Sequence, residues 1–330
     1  MYLNVEIHGR TDGAEERDMG TFSFSTTGAT ALAPLTWGTT YLVATQLLPP
    51  GRPLLAAALR ALPIGLLLLA GARRLPRGRW WGRAATLGAL NIGAFFALLF
   101  VAAERLPGGV AATVGAATPL LVAALAWPAL GDRPAPRALA AGLAGLAGIA
   151  LLVLRADARL DGLGVLAGLA GSLSSAAGIV LTKRWGRPPA TSLLVFTAWQ
   201  LVAGGLFLAP LALLVEGPPP PLGPRALLGF AYLGLVATGA AYALWFRGLE
   251  RMPAPAVALL ALLSPIVATG AGFLVLRQTL TLPQAVGAVL VLGSILVGQR
   301  AAARRTSLVP GGASPVGATG IPSPAHKRSL

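Results

Sequence analysis

The sequence predicts an all-α integral membrane protein whose ten transmembrane helices form two inverted repeats of five helices each. Of its 330 residues, 55% are hydrophobic and 11% are charged, which is more apolar surface than one soluble core can bury. The apolar residues gather into long stretches, and one motif recurs at a spacing of 146 residues. It opens ERLPGGVAATVGAATPL at Glu104 and ERMPAPAVALLALLSPI at Glu250.

The predicted helices are ten apolar stretches, each near the length of about 17 to 25 residues that a bilayer core of roughly 30 Å requires. Five lie in the first half of the chain, at 29–48, 53–71, 84–103, 108–130 and 137–154. Five more lie in the second half, at 162–182, 191–215, 225–246, 254–276 and 283–299. The connectors are short and hold nearly all the charge, so they leave no room for a soluble catalytic domain.

These stretches divide the chain into five predicted regions. They are a polar N-terminal tail at 1–28, a first five-helix repeat at 29–154, a linker at 155–161, a second five-helix repeat at 162–299 and a C-terminal tail at 300–330. The N-terminal tail lacks the charged-then-apolar order of a signal peptide. The C-terminal tail is rich in proline, glycine and serine without periodicity, which predicts a disordered cytoplasmic segment.

The formal net charge of +15 would also suit a nucleic-acid-binding protein, but the positions of the charges argue against that class. With the N-terminus inside, 19 lysines and arginines lie on the cytoplasmic side and 6 in outer loops, and Arg60 completes the 26. This is the positive-inside bias of polytopic membrane proteins. We expect a multi-pass protein of the plasma or inner membrane with both termini cytoplasmic, whose partners are lipid and a small-molecule substrate.

Internal repetition extends beyond the opening motif. An offset of 146 residues aligns 87–132 with 233–278, and offsets of 140 and 145 align the second and the fifth helices of the two halves. The aligned pairs include Pro119 with Pro265, Glu104 with Glu250 and Arg60 with Gln200. Because each half has an odd number of helices, the second half must enter the membrane from the opposite side. Transporters built this way hold their substrate near the midplane and alternate access between two sides.

The motifs of the first repeat follow a recognisable order. LTWGTTYL lies in the first helix, Leu-Arg in the second, Glu-Arg-x-Pro at the end of the third, and LGDRPAPRALAAGLAGLAGIALLVL around the fifth. Together with the central Pro119 of the fourth helix, they resemble the drug/metabolite transporter superfamily, specifically its ten-helix EamA-type permeases. The resemblance implies a permease for a small metabolite or drug-like compound, and it alone implies that transport runs outward. Arg277-Gln278 and Ser174-Ser175 depart from the family's usual Gly-Glu and Trp.

Candidate cavity residues are polar, aromatic or proline side chains inside the predicted helices. Arg60 is the charged residue placed well inside a span, where it faces a polar interior or extends to the outer headgroups. Trp37 and Tyr41, four residues apart, share one helix face and either line a cavity or pack. The other candidates are Asn91, Thr118, Pro119, Ser175, Gln200, Ser264 and Pro265.

The two central prolines predict duplicated bends. Pro119 and Pro265 lie near the middle of equivalent helices, where proline removes the hydrogen bond to the carbonyl of Gly115 or Ala261. Those carbonyls and bends would shape a substrate cavity, unless the prolines are only packing kinks.

Glu104 and Glu250 are the candidate gating residues. They end equivalent helices on opposite sides of the membrane, each beside an arginine and three residues before a proline. The alternative is that they form exposed ion pairs with Arg105 and Arg251, worth roughly 0 to 1 kcal/mol.

Small residues recur along the fifth helix. Gly142, Gly145 and Gly148 stand three residues apart, which lets another helix approach closely. Packing within the chain is the expected use, and a homodimer through such small-residue faces is the alternative.

Chemistry-bearing side chains are scarce inside the spans. All eleven acidic residues fall in tails, loops or helix ends, there is no cysteine, and both histidines lie in the tails. We therefore predict no enzymatic activity, no metal and no other cofactor. An intramembrane enzyme acting on a lipid-linked substrate would need positioned acids, bases or metal ligands. A membrane scaffold without transport would give no reason for inverted halves.

Single cysteines introduced into this cysteine-free chain test the predicted orientation. We expect Arg79→Cys and Arg187→Cys to resist an impermeant thiol reagent in intact cells, because the basic connectors face the cytoplasm. Arg52→Cys and Asp157→Cys should label. The reverse labelling pattern would overturn the orientation.

Overall fold

The protein is an all-helical membrane protein over the residues that the structure describes. The structure is a computed structural model, and it describes residues 12–106, 108–133, 135–153, 161–276 and 281–307. These residues form helices, turns and connecting segments, and no strand occurs among them. Within this described part, eight helices are long and apolar enough to cross a membrane, and Pro136–Leu152 is apolar but shorter.

We number the helical segments α1 to α10 in chain order and count pieces joined by a turn or by π-helical residues as one segment. The first five are α1 (Asp12–Gly38 and Thr40–Leu47), α2 (Pro53–Ala72), α3 (Trp80–Gly88, Ala89–Gly93 and Ala94–Arg105), α4 (Gly108–Gly115 and Thr118–Leu130) and α5 (Pro136–Val153). The second five are α6 (Gly162–Trp185), α7 (Leu193–Glu216), α8 (Pro224–Arg251), α9 (Ala254–Leu260 and Leu263–Leu276) and α10 (Leu282–Ser307).

The segments agree with the predicted stretches except in length. The eight helices suited to cross a membrane are α2 to α4 and α6 to α10, whereas α5 is short and α1 is too polar at its start. Helix α1 is already helical at Asp12, the first described residue, which lies inside the predicted polar tail. Helix α10 is helical as far as Ser307, the last described residue, which lies beyond the predicted end of the tenth stretch at 299, and the disordered C-terminal tail stays a prediction.

Helix contacts between the two halves of the chain occur in equivalent pairs. Helix α1 packs on α8 and α9, and its counterpart α6 packs on α3 and α4. Helix α2 likewise packs on α8, and its counterpart α7 packs on α3. The remaining extensive pairs, α2 with α7 and α5 with α10, join equivalent helices to each other.

Helices α2 and α7 run antiparallel and are joined at both ends. At one end the Glu216 carboxylate accepts hydrogen bonds from the main-chain nitrogens of Leu54 and Leu55, at 2.6 and 2.8 Å. These amides belong to the first turn of α2, which has no helical partners for them, so Glu216 caps the helix. At the other end Trp199 Nε1 donates to the main-chain oxygen of Arg74 at 2.8 Å.

Glycines let the equivalent helices approach backbone to backbone. A Cβ atom on Gly65 of α2 would lie 2.8 Å from the nitrogen of Val202 in α7. A Cβ on Gly148 of α5 would lie 2.9 Å from the Gly287 oxygen in α10, and one on Gly287 would lie 2.5 Å from the Gly148 oxygen. Without a hydrophobic force between helices in lipid, such close packing is a main source of their association.

The predicted small-residue face of α5 lies against neighbouring helices of the same chain. Gly142 faces Leu120, Gly145 faces Leu262, and Gly148 faces Gly287. A homodimer stays a prediction, and it would need other small-residue faces.

Two glycines of α10 provide a matched test of this packing. Gly287→Ala would press a methyl group against backbone that cannot move aside, so we expect a destabilisation of about 1 to 3 kcal/mol. Gly293→Ala, where nothing lies within 4 Å of the added Cβ, should leave stability equal or slightly higher. The measurement is the thermal unfolding midpoint in detergent. Equal midpoints for both variants would contradict close packing of α5 on α10.

Candidate functional site

Arg60 lies in the interior between α2, α3 and α8. Its side chain is 7% exposed. Its Nε donates to Thr238 Oγ1 at 2.7 Å, and its Nη2 donates to the main-chain oxygen of Ala237 at 2.9 Å. The guanidinium carbon lies 5.2 Å from the centre of the Phe96 ring. The side chain is therefore buried and held by α8.

Asn91 and Gln200 form a second buried polar cluster. Asn91 Nδ2, in α3, donates to Gln200 Oε1 in α7 at 2.9 Å and to Thr182 Oγ1 in α6 at 3.2 Å. Gln200 is fully buried, and its Nε2 has no hydrogen-bond partner among the described residues. The cluster joins three helices but leaves one buried donor unsatisfied.

The two clusters are equivalent under the internal repeat. An offset of 140 places Arg60 on Gln200, and an offset of 146 places Asn91 on Ala237. In each cluster the second helix of one repeat bonds the third helix of the other repeat. The two repeats are thus connected by two equivalent sets of hydrogen bonds, at corresponding positions of α3 and α8. We call these two sets the joints.

Both joints fall on π-helical residues, Ala89–Gly93 in α3 and Tyr232–Ala240 in α8. A π-helical turn shifts the main-chain bonds from the fourth to the fifth preceding residue and leaves one carbonyl without its usual donor. In α8 the nitrogen of Ala241 bonds the oxygens of Val236 and Thr238 and passes over Ala237. The Ala237 oxygen instead accepts from Arg60 and from Trp37 Nε1, the latter at 3.0 Å.

Helix α3 also has a main-chain carbonyl that its π-helical turn leaves without a helical donor, and a different residue satisfies it. The nitrogen of Ala94 bonds the oxygen of Ala89, five residues earlier, and passes over Leu90. The Leu90 oxygen accepts a hydrogen bond from Ser174 Oγ of α6 at 3.0 Å. Ser175, the predicted cavity residue next to it, is half-buried and has no hydrogen bond to another predicted site residue within the described ranges.

Aromatic side chains surround the Arg60 cluster. The ring of Trp37 lies 5.3 Å from that of Tyr242 and 5.1 Å from that of Trp245, measured between centroids. Trp37 is half-buried, and it shares the Ala237 oxygen with Arg60. The side chain of Tyr41 lies outside the described residues.

The two predicted bends lie at equivalent breaks of α4 and α9. Thr118 Oγ1 donates to the Gly115 oxygen at 2.7 Å, and the nitrogen of Ser264 donates to the Ala261 oxygen at 3.1 Å. These are the carbonyls that Pro119 and Pro265 deprive of their helical donor, and local groups satisfy them. Thr118 and Pro119 form no hydrogen bond with the other predicted cavity residues that the structure describes.

Glu250 lies in a group of charged residues at the ends of α6 and α8. Its Oε1 accepts from Arg187 Nε at 2.6 Å, and its main-chain oxygen accepts from Lys183 Nζ at 3.3 Å. Glu250 therefore forms an ion pair with Arg187, a residue that its own neighbourhood in the sequence does not indicate. A pocket of about 290 Å³ lies here, lined by Thr182, Lys183, Gly186, Arg187, Phe196, Leu249 and Glu250.

Glu104 is the counterpart of Glu250 in the repeat. The side chain of Glu104 lies outside the described residues, and Arg105 lies 3.9 Å from Asp161.

Equivalent pieces of α4 and α9 are buried to different extents. Ala258, Leu259 and Leu260 are 0, 2 and 2% exposed, whereas their counterparts at offset 146, residues 112–114, are half-buried. These three residues of α9 are therefore more buried than their described counterparts in α4.

Sequence reasoning missed several partners in these clusters. Thr238 and the Ala237 oxygen bind Arg60, Phe96 lies against it, and Arg187 pairs with Glu250. The repeat itself could have drawn attention to Ala237, since Asn91 aligns with it. No comparable signal marks Arg187.

Comparisons with known proteins agree with this architecture. Protein PecM of Dickeya dadantii (strain 3937) is 44% identical over 267 residues, which are 81% of this chain and 90% of that protein. The uncharacterized transporter YwfM of Bacillus subtilis (strain 168) is 29% identical over 286 residues, 81% of this chain and 90% of that protein. One solved crystal structure of a protein shares the fold, with a TM-score of 0.72 and 24% identity, covering 85% of this chain and 98% of that chain.

The family match covers both halves. The EamA-like transporter family matches residues 27–154 and again residues 162–298. The two matches fall on either side of the predicted linker and include both polar clusters. With two family matches over most of its length and a relative at 44% identity, the chain belongs to the EamA-like transporter family.

Proposed function

We propose that the protein is a permease that moves a small metabolite or drug-like compound outward across the plasma or inner membrane by alternating access. The observation that carries this proposal is the pair of equivalent joints, Arg60 to Ala237 and Gln200 to Asn91. A protein that builds the same joint twice in opposite orientations has two matched moving parts, one for each side of the membrane.

The proposal includes ten transmembrane helices in two inverted repeats, 29–154 and 162–299, with both termini in the cytoplasm. The exchange symmetry of helix pairing supports it, and so do the matched π-helical residues and the matched breaks in α4 and α9. Helices α1 and α5 would complete the ten spans. Both pack along helices that are long and apolar enough to cross the membrane.

The gates would be the outer ends of α3 and α4 and the inner ends of α8 and α9. The Glu250–Arg187 pair and the buried residues at the start of α9 support a closed inner gate. The half-buried residues 112–114 of α4 support an outer side that is more open. Each gating helix, α3 or α8, would pivot at its π-helical residues, where the main chain is irregular and a partner from the other repeat holds it.

Two other functions remain as alternatives, an intramembrane enzyme acting on a lipid-linked substrate and a membrane scaffold without transport. Family membership favours a transporter over both, and a scaffold would give no reason for inverted halves. Purified protein in liposomes separates the three classes. A transporter moves a solute unchanged, an enzyme alters it, and a scaffold does neither.

Neutralising one gate should shift the protein toward the state in which that gate is open. We expect Glu250→Gln and Arg187→Gln alike to favour the inward-facing state, because each removes one member of the ion pair. Glu104→Gln should favour the outward-facing state. A partly exposed pair is worth about 1 kcal/mol or less, so the populations should change by up to about fivefold.

Matched single cysteines report the two states. Val114→Cys lies in the outer half, and Leu260→Cys is its counterpart in the inner half. Glu250→Gln should speed the labelling of Leu260→Cys and slow that of Val114→Cys. Arg184→Gln, an exposed arginine on the same end of α6, is the control and should change neither rate. Identical labelling in all variants would mean that these glutamates do not gate.

A further inference from the structure

We propose that Arg60 binds an anionic group of the substrate, so that the transported compound is an organic anion. The group would be a carboxylate, sulfonate or phosphate seated against the guanidinium. This inference rests on the proposed permease function and adds the chemical class of its substrate.

The positive charge of Arg60 has no counter-ion in the described part of the chain. Arg60 takes part in no ion pair with a described residue, whereas Arg105 pairs with Asp161 and Arg187 with Glu250. The partners of Arg60 are a hydroxyl, a carbonyl oxygen and an aromatic ring, none of which carries a negative charge. A buried ion without a counter-ion is unfavourable, so such residues in membrane spans usually mark a substrate path.

The internal repeat shows that the helix contact made at the position of Arg60 does not need a charge. Gln200 stands at the equivalent place and joins α7 to α3 with a neutral amide. Joining a second helix to the third helix of the other repeat therefore does not require a positive charge. Arg60 therefore carries a charge that its counterpart Gln200 lacks. Binding an anion is a function that would use this charge.

The guanidinium is oriented and has donor capacity left. Its Nε and Nη2 are committed to Thr238 and Ala237, while Nη1 donates to no residue that the structure describes. Nη1 is also not fully buried, and the side chain keeps 7% exposure. A planar guanidinium held in one orientation is well suited to bind an oxyanion with directed hydrogen bonds.

The surroundings indicate an apolar body on the same ligand. Phe96 lies against the guanidinium, and the half-buried Trp37 shares the Ala237 oxygen with it. Aromatic walls around a few polar groups are typical of small-molecule sites. Phe96 is itself buried, so the half-buried Trp37 is the ring that such an apolar body would contact.

Naphthalene derivatives that differ only in charge test the proposal. We would measure the thermal unfolding midpoint of the purified protein against increasing 2-naphthoate, naphthalene-2-sulfonate and the neutral 2-naphthamide. The two anions should raise the midpoint of the wild-type protein, and the amide should raise it at least about tenfold less potently. Sodium sulfate at the same concentrations should have little effect, and an equal rise would overturn the assignment to organic anions.

Arg60→Gln copies the residue of the other repeat and removes the charge together with the guanidinium donors. We expect it to abolish the preference for anions over the amide, and Arg60→Lys, which keeps a charge, to retain part of that preference. Arg225→Gln, an exposed arginine at the start of α8, is the matched control and should behave as wild type. If Arg60→Gln fails to fold, the wild-type comparison and Arg60→Lys still decide.

The proposal is overturned if the wild-type protein responds equally to anions and amide, or if Arg60→Gln keeps the preference. The accessibility of the paired cysteines is measured without any ligand, so it tests the permease function separately. Alternating accessibility without a preference for anions would reject the anion site alone. Loss of alternating accessibility would reject the permease itself.

Discussion

Inside a membrane each main-chain carbonyl needs a hydrogen-bond donor from the protein itself. The rest of this structure depends on the donors that satisfy two such carbonyls, one in α3 and one in α8. The π-helical residues of α3 and α8 leave the oxygens of Leu90 and Ala237 without helical partners. Side chains from other helices satisfy both, Ser174 in one case and Arg60 with Trp37 in the other. An irregularity that would be costly in an isolated helix thus becomes the point at which the repeats are joined.

The joints and the glycine contacts have complementary roles. Gly65 with its equivalent Gly205, and Gly148 with Gly287, bring α2 against α7 and α5 against α10 at backbone distance, which leaves those pairs little freedom to slide. Helices α3 and α8 receive hydrogen bonds from other helices at their π-helical residues, and their ends also pack, those of α3 against α6 and α7 and the C-terminal end of α8 against α1. The glycine contacts of the equivalent helices and the hydrogen bonds at the centres of α3 and α8 are the features on which the proposed pivoting rests.

The repeat made much of this architecture predictable, because a duplicated sequence leaves aligned identities that apolar composition alone does not explain. The alignment of Arg60 with Gln200 can be read from the sequence, and these two residues lie in equivalent joints of the fold. The π-helical residues were not predictable, since ALNIG and YLGLVATGA carry no local signal that separates a π turn from an α turn. The Glu250–Arg187 pair joins residues 63 positions apart, which no spacing rule indicates. The proline bends were predicted, but local donors satisfy the carbonyls that they free, because Thr118 can reach back one turn.

The central claim is that α3 and α8 pivot at their π-helical residues while their ends move. Distances between pairs of spin labels, measured in liposomes for the wild-type protein and for Glu250→Gln, test it most directly. The inner, outer and midplane pairs are Arg184 with Arg251, Leu47 with Arg105, and Leu59 with Val236. The account predicts that the inner and outer distances shift in opposite directions while the midplane distance stays constant. A midplane distance that changes as much as the ends, or ends that move together, would contradict it.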